Sequence, residues 1–331
     1  MSVEPLRSRL NAAAAFAGYR EAFSAYSSDL HRRLHQYVAT LPESGRATLA
    51  QAGSSWFSED PEQGILKPYT PFAAEFFGIT DAEVIGRASL ASNLMQLHCW
   101  LQDSRIDGDW PATVCGPGTD ALSNILMTDS LAIFAELAGD AQFWPMTRAA
   151  FCELADAYAS EGRPGLTGEA LERSVLGRCA PFHMLVAALG LHARRPDLIA
   201  PCSEMADRLL LWFQILDDLT DWREDLAAGR EPYAMTRIAS YFGERAFLQS
   251  SDDEIADVLY LFGGGEALIG ESIRLLGEAL DLLRRYSAAP QPESLTSMHR
   301  WLPRLIEAHE QVRQWSVRQK SEFLERAGAR P

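Results

Sequence analysis

One stretch limits what this chain can fold into more than any other. Residues 203–228 are apolar on almost every side and then close in four aspartates, in the run FQILDDLTDWRED (213–225). At about 100° per residue, Gln214, Asp217, Asp218, Asp221 and Asp225 fall within an arc of about 100°. Asp207 lies further back on the same side. Trp212, Ile215, Leu216, Leu219, Trp222 and Leu226 take the opposite arc, and Leu209, Leu210, Leu211 and Phe213 leave the first half with no polar face. A helix apolar all round lies deep in a bundle, so the carboxylates face inward at one end of a central helix. Desolvating each costs several kcal/mol unless a partner answers it. Like charges four apart cost a further 0.2–0.5 kcal/mol or so per pair. Helix stability therefore does not explain these residues. A solvated acidic face is the plainer alternative, and the apolar first half of the helix argues against it.

The rest of the chain reads the same way. Apolar residues recur at i, i+3, i+4 and i+7, and alternating β-branched runs are absent. Helices are expected at about 11–39, 42–53, 70–77, 81–104, 119–138, 142–161, 167–192, 203–228, 233–241, 252–263, 266–287 and 295–326. The breaks are short and rich in Gly and Pro, as in DGDWPATVCGPG (107–118), EGRPG (161–165) and SAAPQPES (287–294). None reads as a linker, so residues 1–331 are expected to form one all-α helical bundle around an apolar cavity. FGGG (262–265) lacks the preceding strand and GK[ST] ending of a phosphate loop, and reads as a turn between helices.

Composition removes several functional classes. With 47% hydrophobic residues the chain can bury a sizeable core. A net charge of −15 argues against a nucleic-acid footprint or an anionic membrane surface. No run approaches the roughly 18 apolar residues of a membrane span, so no stable membrane insertion is expected. Five widely spaced cysteines without a CxxC pair, and no signal-peptide pattern, suggest reduced thiols in a cytoplasmic protein. There are 28 arginines and only two lysines, Lys67 and Lys320. Any grip on phosphate must therefore come from arginine, metal or backbone.

A second acidic pair closes a second apolar helix in NLMQLHCWLQDSRIDGDW (93–110), where Asp103 and Asp107 are four apart and Asp109 follows. Two such helix ends facing across a bundle could hold divalent cations between them. Mg²⁺ prefers carboxylate and phosphate oxygens. Cations held there would attract a diphosphate and polarise it as a leaving group.

These residues resemble the class I isoprenoid synthases, a superfamily that includes polyprenyl diphosphate synthases, squalene/phytoene synthases and terpene cyclases. FQILDDLTD is similar to the second aspartate-rich motif of the polyprenyl diphosphate synthases. Asp217, Asp218, Asp221 and Asp225 also fit the spacing of the second metal motif of terpene cyclases. DSRID (103–107) resembles the DxxxD form of the first motif, with Ser104 where prenyltransferases carry a second Asp. The resemblance covers roughly residues 93–235.

The resemblance implies an isoprenoid-synthase bundle and a prenyl diphosphate substrate. It implies three Mg²⁺ ions, replaceable by Mn²⁺, on Asp103, Asp107, Asp217, Asp218, Asp221 and Asp225. Arg178, on the preceding long helix, stands where cyclases carry an arginine that senses diphosphate. Arg230 and Tyr233, just past the ladder, and Arg105, within the first motif, are further candidates for diphosphate binding. Phe213, Trp100 and Phe182 are candidates for the cavity lining, each with ordinary core packing as its alternative; Trp212 shares that ambiguity. His98 and His183 read as packing or supporting residues. Homodimers are common among such proteins.

Chain-elongating relatives hold a second diphosphate on a basic GGKxxRP-like loop. GILKPY (64–69) offers one lysine and no arginine, and GDWPA stands where RRG would follow the first motif. The expectation is therefore a terpene synthase acting on one prenyl diphosphate. A prenyl-condensing synthase is the alternative, and an inert helical binding protein a further one. A di-iron bundle would need ExxH pairs near the acids, and an HD phosphohydrolase an HD dipeptide. The sequence has neither.

Overall fold

The computed structural model describes residues 19–52, 69–107, 117–160, 168–242, 251–288 and 298–326. Among them every regular element is a helix. In chain order these are α1 (Tyr19–Thr40), α2 (Glu43–Ala52), α3 (Tyr69–Phe76), α4 (Ala82–Asp107), α5 (Pro117–Ala138), α6 (Phe143–Ser160) and α7 (Gly168–Gly177). There follow α8 (Ala180–His192), α9 (Ile199–Ala227), α10 (Tyr233–Phe242), α11 (Asp252–Tyr260), α12 (Gly264–Tyr286) and α13 (Met298–Arg326).

The expected ladder helix is α9, and it starts four residues earlier than its periodicity suggested, after a single 3-10 turn at Pro196–Leu198. It lies among α7, α8, α10 and α12. Trp212, Ile215, Leu216, Leu219 and Trp222 are all buried, on the arc opposite the acids. Side chains of that size stabilise by about 1.5–3 kcal/mol each when fully buried. Residues of α3 to α13 share this main core. A smaller cluster joins α1, α2, α4 and α5 through Leu30, Leu49, Leu97 and Leu126.

The helix expected over 167–192 is two. α7 and α8 meet at Arg178–Cys179 with a bend of 65°. Pro181, near the start of α8, has no N–H and would clash with the carbonyl of Gly177 in a continuous helix. Gly177 is needed for contact as well: a Cβ there would lie 2.7 Å from the Glu153 carbonyl oxygen.

The FGGG segment is a turn between α11 and α12, with Gly263 at φ 91°. α11 is started by a capping box between Ser251 and Glu254.

By length and composition, α5 is apolar enough to cross a membrane over Gly118–Ala138. Its mean hydropathy is 1.3, yet only 39% of that window is buried. It packs on α4 and α8, and its Asp129 accepts a hydrogen bond from Tyr37 at 2.7 Å.

Candidate active site

The four aspartates at the end of α9 do different things. Asp218 is only 2% exposed. Its Oδ1 accepts from Gln214 Nε2 and its Oδ2 from the Ala234 backbone N–H, each at 2.6 Å. Ala234 is the second residue of α10, where an N–H has no partner within its own helix. Asp218 thus fastens the start of α10 to α9. Burial pushes its pKa up to about 7, against the pull of these two hydrogen bonds.

Asp221 is half-buried, and its Oδ1 is buried without a hydrogen-bond partner. Burial, and then the charges of Asp217 and Asp225, raise its pKa to about 6. Asp217 is on the open side of the helix but still crowded by protein. Burial and the Asp225 charge push its pKa up, and Arg178 pulls it back.

Asp225 is answered by Arg230. α9 ends in a turn with Gly229 at φ 76°. There Arg230 N bonds Asp225 O at 2.9 Å and Gly229 N bonds Leu226 O at 3.0 Å, the paired pattern of a Schellman cap. The chain is thereby folded back, and the Arg230 guanidinium meets Asp225 Oδ1 at 2.8 Å through Nε and through Nη2.

Oxygens of Asp218, Asp221 and Asp225 lie within 4.8 Å of one another. This all-carboxylate set suits a hard divalent cation. Both oxygens of Asp218 are already committed to hydrogen bonds. The atoms best placed to ligate are therefore on Asp221, whose Oδ1 lacks any other partner, and on Asp225, with Asp217 beside them.

The other acidic end is Asp103, half-buried near the end of α4. α4 and α9 pack mainly through α8, which touches both. The N-terminus of α8 sits between the two acidic ends. Its Cys179 thiol is pushed up to about 12 by burial, lowered by Arg178, and raised by Asp207 and Asp103. The Asp103 charge acts on Cys99 as well. Arg178 is half-buried at the α7–α8 break, within electrostatic reach of Asp217. The break thus brings an arginine, a side chain suited to phosphate oxygens, to the Asp217 end of the ladder. Asp107 closes α4, but its side chain lies outside the described residues, as do Asp109 and the segments GILKP and GDWPA.

The remaining candidates divide. Arg105 is exposed and pairs with Asp120 at the start of α5. Tyr233 is buried, and the charged groups acting most on its hydroxyl are Arg237, Glu172, Glu271 and Arg274, not the aspartates. Phe182 is buried edge-on to Tyr69, with ring centroids 5.1 Å apart. Phe213 packs on the main core, whereas Trp100 packs on the smaller cluster. His98 is buried against Ser123 Oγ at 2.7 Å.

One grouping had only a trace in the sequence. Asp207, on the ladder side of α9, bonds His183 Nε2 at 2.8 Å, and His183 Nδ1 lies 3.6 Å from Glu153. The wheel position of Asp207 was the available signal; its histidine partner had none.

No family model and no curated protein matches the chain. Solved structures do. A decaprenyl diphosphate synthase from Rhodobacter capsulatus aligns with a TM-score of 0.63 at 17% identity, over 93% of this chain and 99% of that one. A polyprenyl synthase from Caulobacter crescentus CB15, complexed with calcium and isoprenyl diphosphate, aligns with a TM-score of 0.62 at 14% identity, over 93% and 97%. A polyprenyl synthetase from Streptomyces coelicolor A3(2) gives 0.54 at 17% identity, over 94% and 99%. The fold is the all-α fold of the isoprenoid synthases.

Proposed function

We propose that this chain ionises an allylic prenyl diphosphate by assisted departure of the diphosphate. The observation that carries the reading is Asp221 Oδ1, buried and unpartnered within a cluster of carboxylate oxygens. An orphaned buried carboxylate oxygen is costly unless a ligand completes it. Magnesium, or manganese in its place, would be held by Asp221, Asp225 and Asp217 on one side and by Asp103 and Asp107 on the other. Bound there, the metal would neutralise the diphosphate and make it a better leaving group.

The protein's own contribution is position. Asp218 fixes α10 and the register of the ladder, with its carboxylate in the same cluster as Asp221 and Asp225. Arg178, at the α7–α8 break, offers a planar fork to phosphate oxygens. Arg230 would leave Asp225 for the diphosphate as metal arrives. Main-core side chains near the ladder, among them Phe213, would keep water from the cation.

Two fates for that cation each have support. The solved structures described above are named as a decaprenyl diphosphate synthase, a polyprenyl synthase and a polyprenyl synthetase, which favours condensation with a second prenyl unit. The lack of a basic loop for a second diphosphate favours cyclisation of one substrate. We infer a cytoplasmic enzyme, in keeping with the free thiols of Cys99, Cys152, Cys179 and Cys202.

The test is pyrophosphate release from farnesyl and geranylgeranyl diphosphate, with Mg²⁺ or EDTA and with or without isopentenyl diphosphate. Release that needs Mg²⁺ supports the reading. A terpene from one substrate assigns cyclisation, and a longer diphosphate formed only with isopentenyl diphosphate assigns condensation. No release under any condition overturns it.

A further inference from the structure

We propose that Asp207 accepts the proton that ends the reaction, held in place by His183, so that the cation is quenched deep in the bundle and not at its mouth. This rests on the reading that a prenyl diphosphate is ionised at the α9 ladder.

Asp207 lies within about 20° of Asp218 on the α9 wheel and about 15 Å below Asp217 along the axis. It continues the ladder face toward the start of α9, where Ser203 is half-buried. Its Oδ1 receives His183 Nε2 at 2.8 Å from α8. The side chain keeps 22% of its surface, although α9 is packed among four other helices.

The surroundings suit a cation. Tyr69, on α3, has a buried hydroxyl beside the Cys202 thiol. Burial holds that hydroxyl well above its usual pKa, and the charges of Cys202 and Asp207 add to the effect. The Tyr69 ring meets Phe182 edge to face, and aromatic faces stabilise nearby positive charge. Asp207 also acts on Cys179, as does Asp103, so Cys179 is within electrostatic reach of both carboxylates.

Burial alone would lower the pKa of His183, but the hydrogen bond and charge of Asp207, with Glu153 on α6, raise it instead. Asp207 on α9 and Glu153 on α6 are the charged groups facing the imidazole. Held between the two carboxylates, the imidazole fixes the orientation of Asp207.

The step needs no co-reactant. The C–H bond next to the cationic carbon breaks, and its electron pair forms a new C=C bond. The proton passes to Asp207 Oδ2, the oxygen that does not bond His183. Pyrophosphate has already left at the mouth. Loss of the proton this far from the mouth requires a cation that has migrated along the chain, as in cyclisation.

The test is Asp207→Asn, which keeps an oxygen for His183 but not the base. Pyrophosphate release should slow yet persist, whereas Asp221→Ala should abolish it. The share of the parent's main alkene should fall by about a hundredfold, the scale of a lost general base, with alcohols or isomeric alkenes in its place. Asp207→Glu should restore much of the parent product, and His183→Phe should give an intermediate mixture; circular dichroism verifies folding of each. An unchanged product mixture in Asp207→Asn overturns the proposal. So does loss of pyrophosphate release in that folded variant as complete as in Asp221→Ala. A parent that yields only a longer prenyl diphosphate, in amounts indifferent to Asp207→Asn, overturns it while leaving ionisation at the ladder intact. A parent that releases no pyrophosphate at all sinks the ladder reading, and this proposal with it.

Discussion

At the residue scale, Asp218 and Asp221 are three positions apart and should fail in opposite ways. Asp218→Ala strips the acceptors from Gln214 and the Ala234 N–H. An orphaned buried partner costs about 1–3 kcal/mol, so the metal-free variant should melt earlier than the parent. Asp221→Asn removes a charge repelled by Asp217 and Asp225 and breaks no hydrogen bond at Oδ1. Its metal-free form should melt no earlier than the parent, and it should lose most of the stabilisation that Mg²⁺ gives the parent. Thermal melts in EDTA and in Mg²⁺ check both; a large loss of stability in metal-free Asp221→Asn would assign Asp221 a structural role. The sequence could place both residues on one face, because the helical period does so. It could not tell them apart, because the difference is made by Ala234, which sits on another helix. Arg105 and Tyr233 show the same limit. Their distance along the chain from the acids was legible, but Asp120 on α5, beside Arg105, and Glu172, Glu271 and Arg274 on α7 and α12, around Tyr233, come from other elements.

At the element scale, the informative departure is the break at Arg178–Cys179. The apolar period runs on from Leu171 to Leu191, so a pattern reading sees one helix, yet Pro181 and the close fit of Gly177 to α6 make it two. Pro181→Ala should let the two segments straighten and carry Arg178 away from Asp217. We expect affinity for inorganic pyrophosphate with Mg²⁺ to fall about tenfold, as loss of about 1.4 kcal/mol would give; unaltered calorimetric binding would detach the bend from the anion site. A second element-scale expectation concerns the clasp between α9 and α13. His309, on α13, is fully buried, with its Nε2 accepting from Trp212 Nε1 at 3.1 Å and its Nδ1 donating to Leu305 O at 2.8 Å. Burial lowers its pKa from 6.5 to about 4, against the backbone hydrogen bond. The unfolded chain therefore takes up this proton first as pH falls, and stability drains away between about pH 6.5 and 4, by an amount of order 3 kcal/mol. The raised His183 works in the opposite sense, its contribution being present in acid and lost as pH rises through its folded pKa. The readout is therefore the difference between parent and His309→Gln. Denaturant melts at pH 7 and pH 4.5 should show a smaller acid loss in the variant; equal losses in both would remove His309 as the cause.

At the scale of the whole molecule, the all-helical class and the central burial of α9 followed from one period and one apolar run. What the period leaves open is which outer faces stay bare. α5 is the clearest case. It is apolar enough over Gly118–Ala138 to pass for a membrane span, yet most of that window is not buried by this chain. Ile125 is 38% exposed and Trp144, at the start of α6, 52% exposed. Between α5 and α6 lies a groove of about 380 Å³ lined by Leu131, Trp144, Phe151, Cys152 and Ala155. An apolar strip rimmed by polar residues marks an interaction surface. In a two-fold dimer the same patch serves both partners, so a helix rib and an adjoining groove on one face are the complementary halves such an interface needs. We expect the chain to sediment as a dimer at micromolar concentration, and Trp144→Glu, which sets a charge on each copy of the patch, to sediment as a monomer with unchanged helicity. A parent that is monomeric there, or that floats with lipid vesicles in preference to dimerising, would assign the strip to another occupant. Because Phe151 and Cys152 adjoin Glu153, which faces His183, pairing at this strip would also cover the outer side of the helix that presents Glu153 to His183. The dimer and the deep carboxylate can thus be compared directly: if pairing steadies α6, Trp144→Glu should loosen product control in the same direction as His183→Phe, and by less.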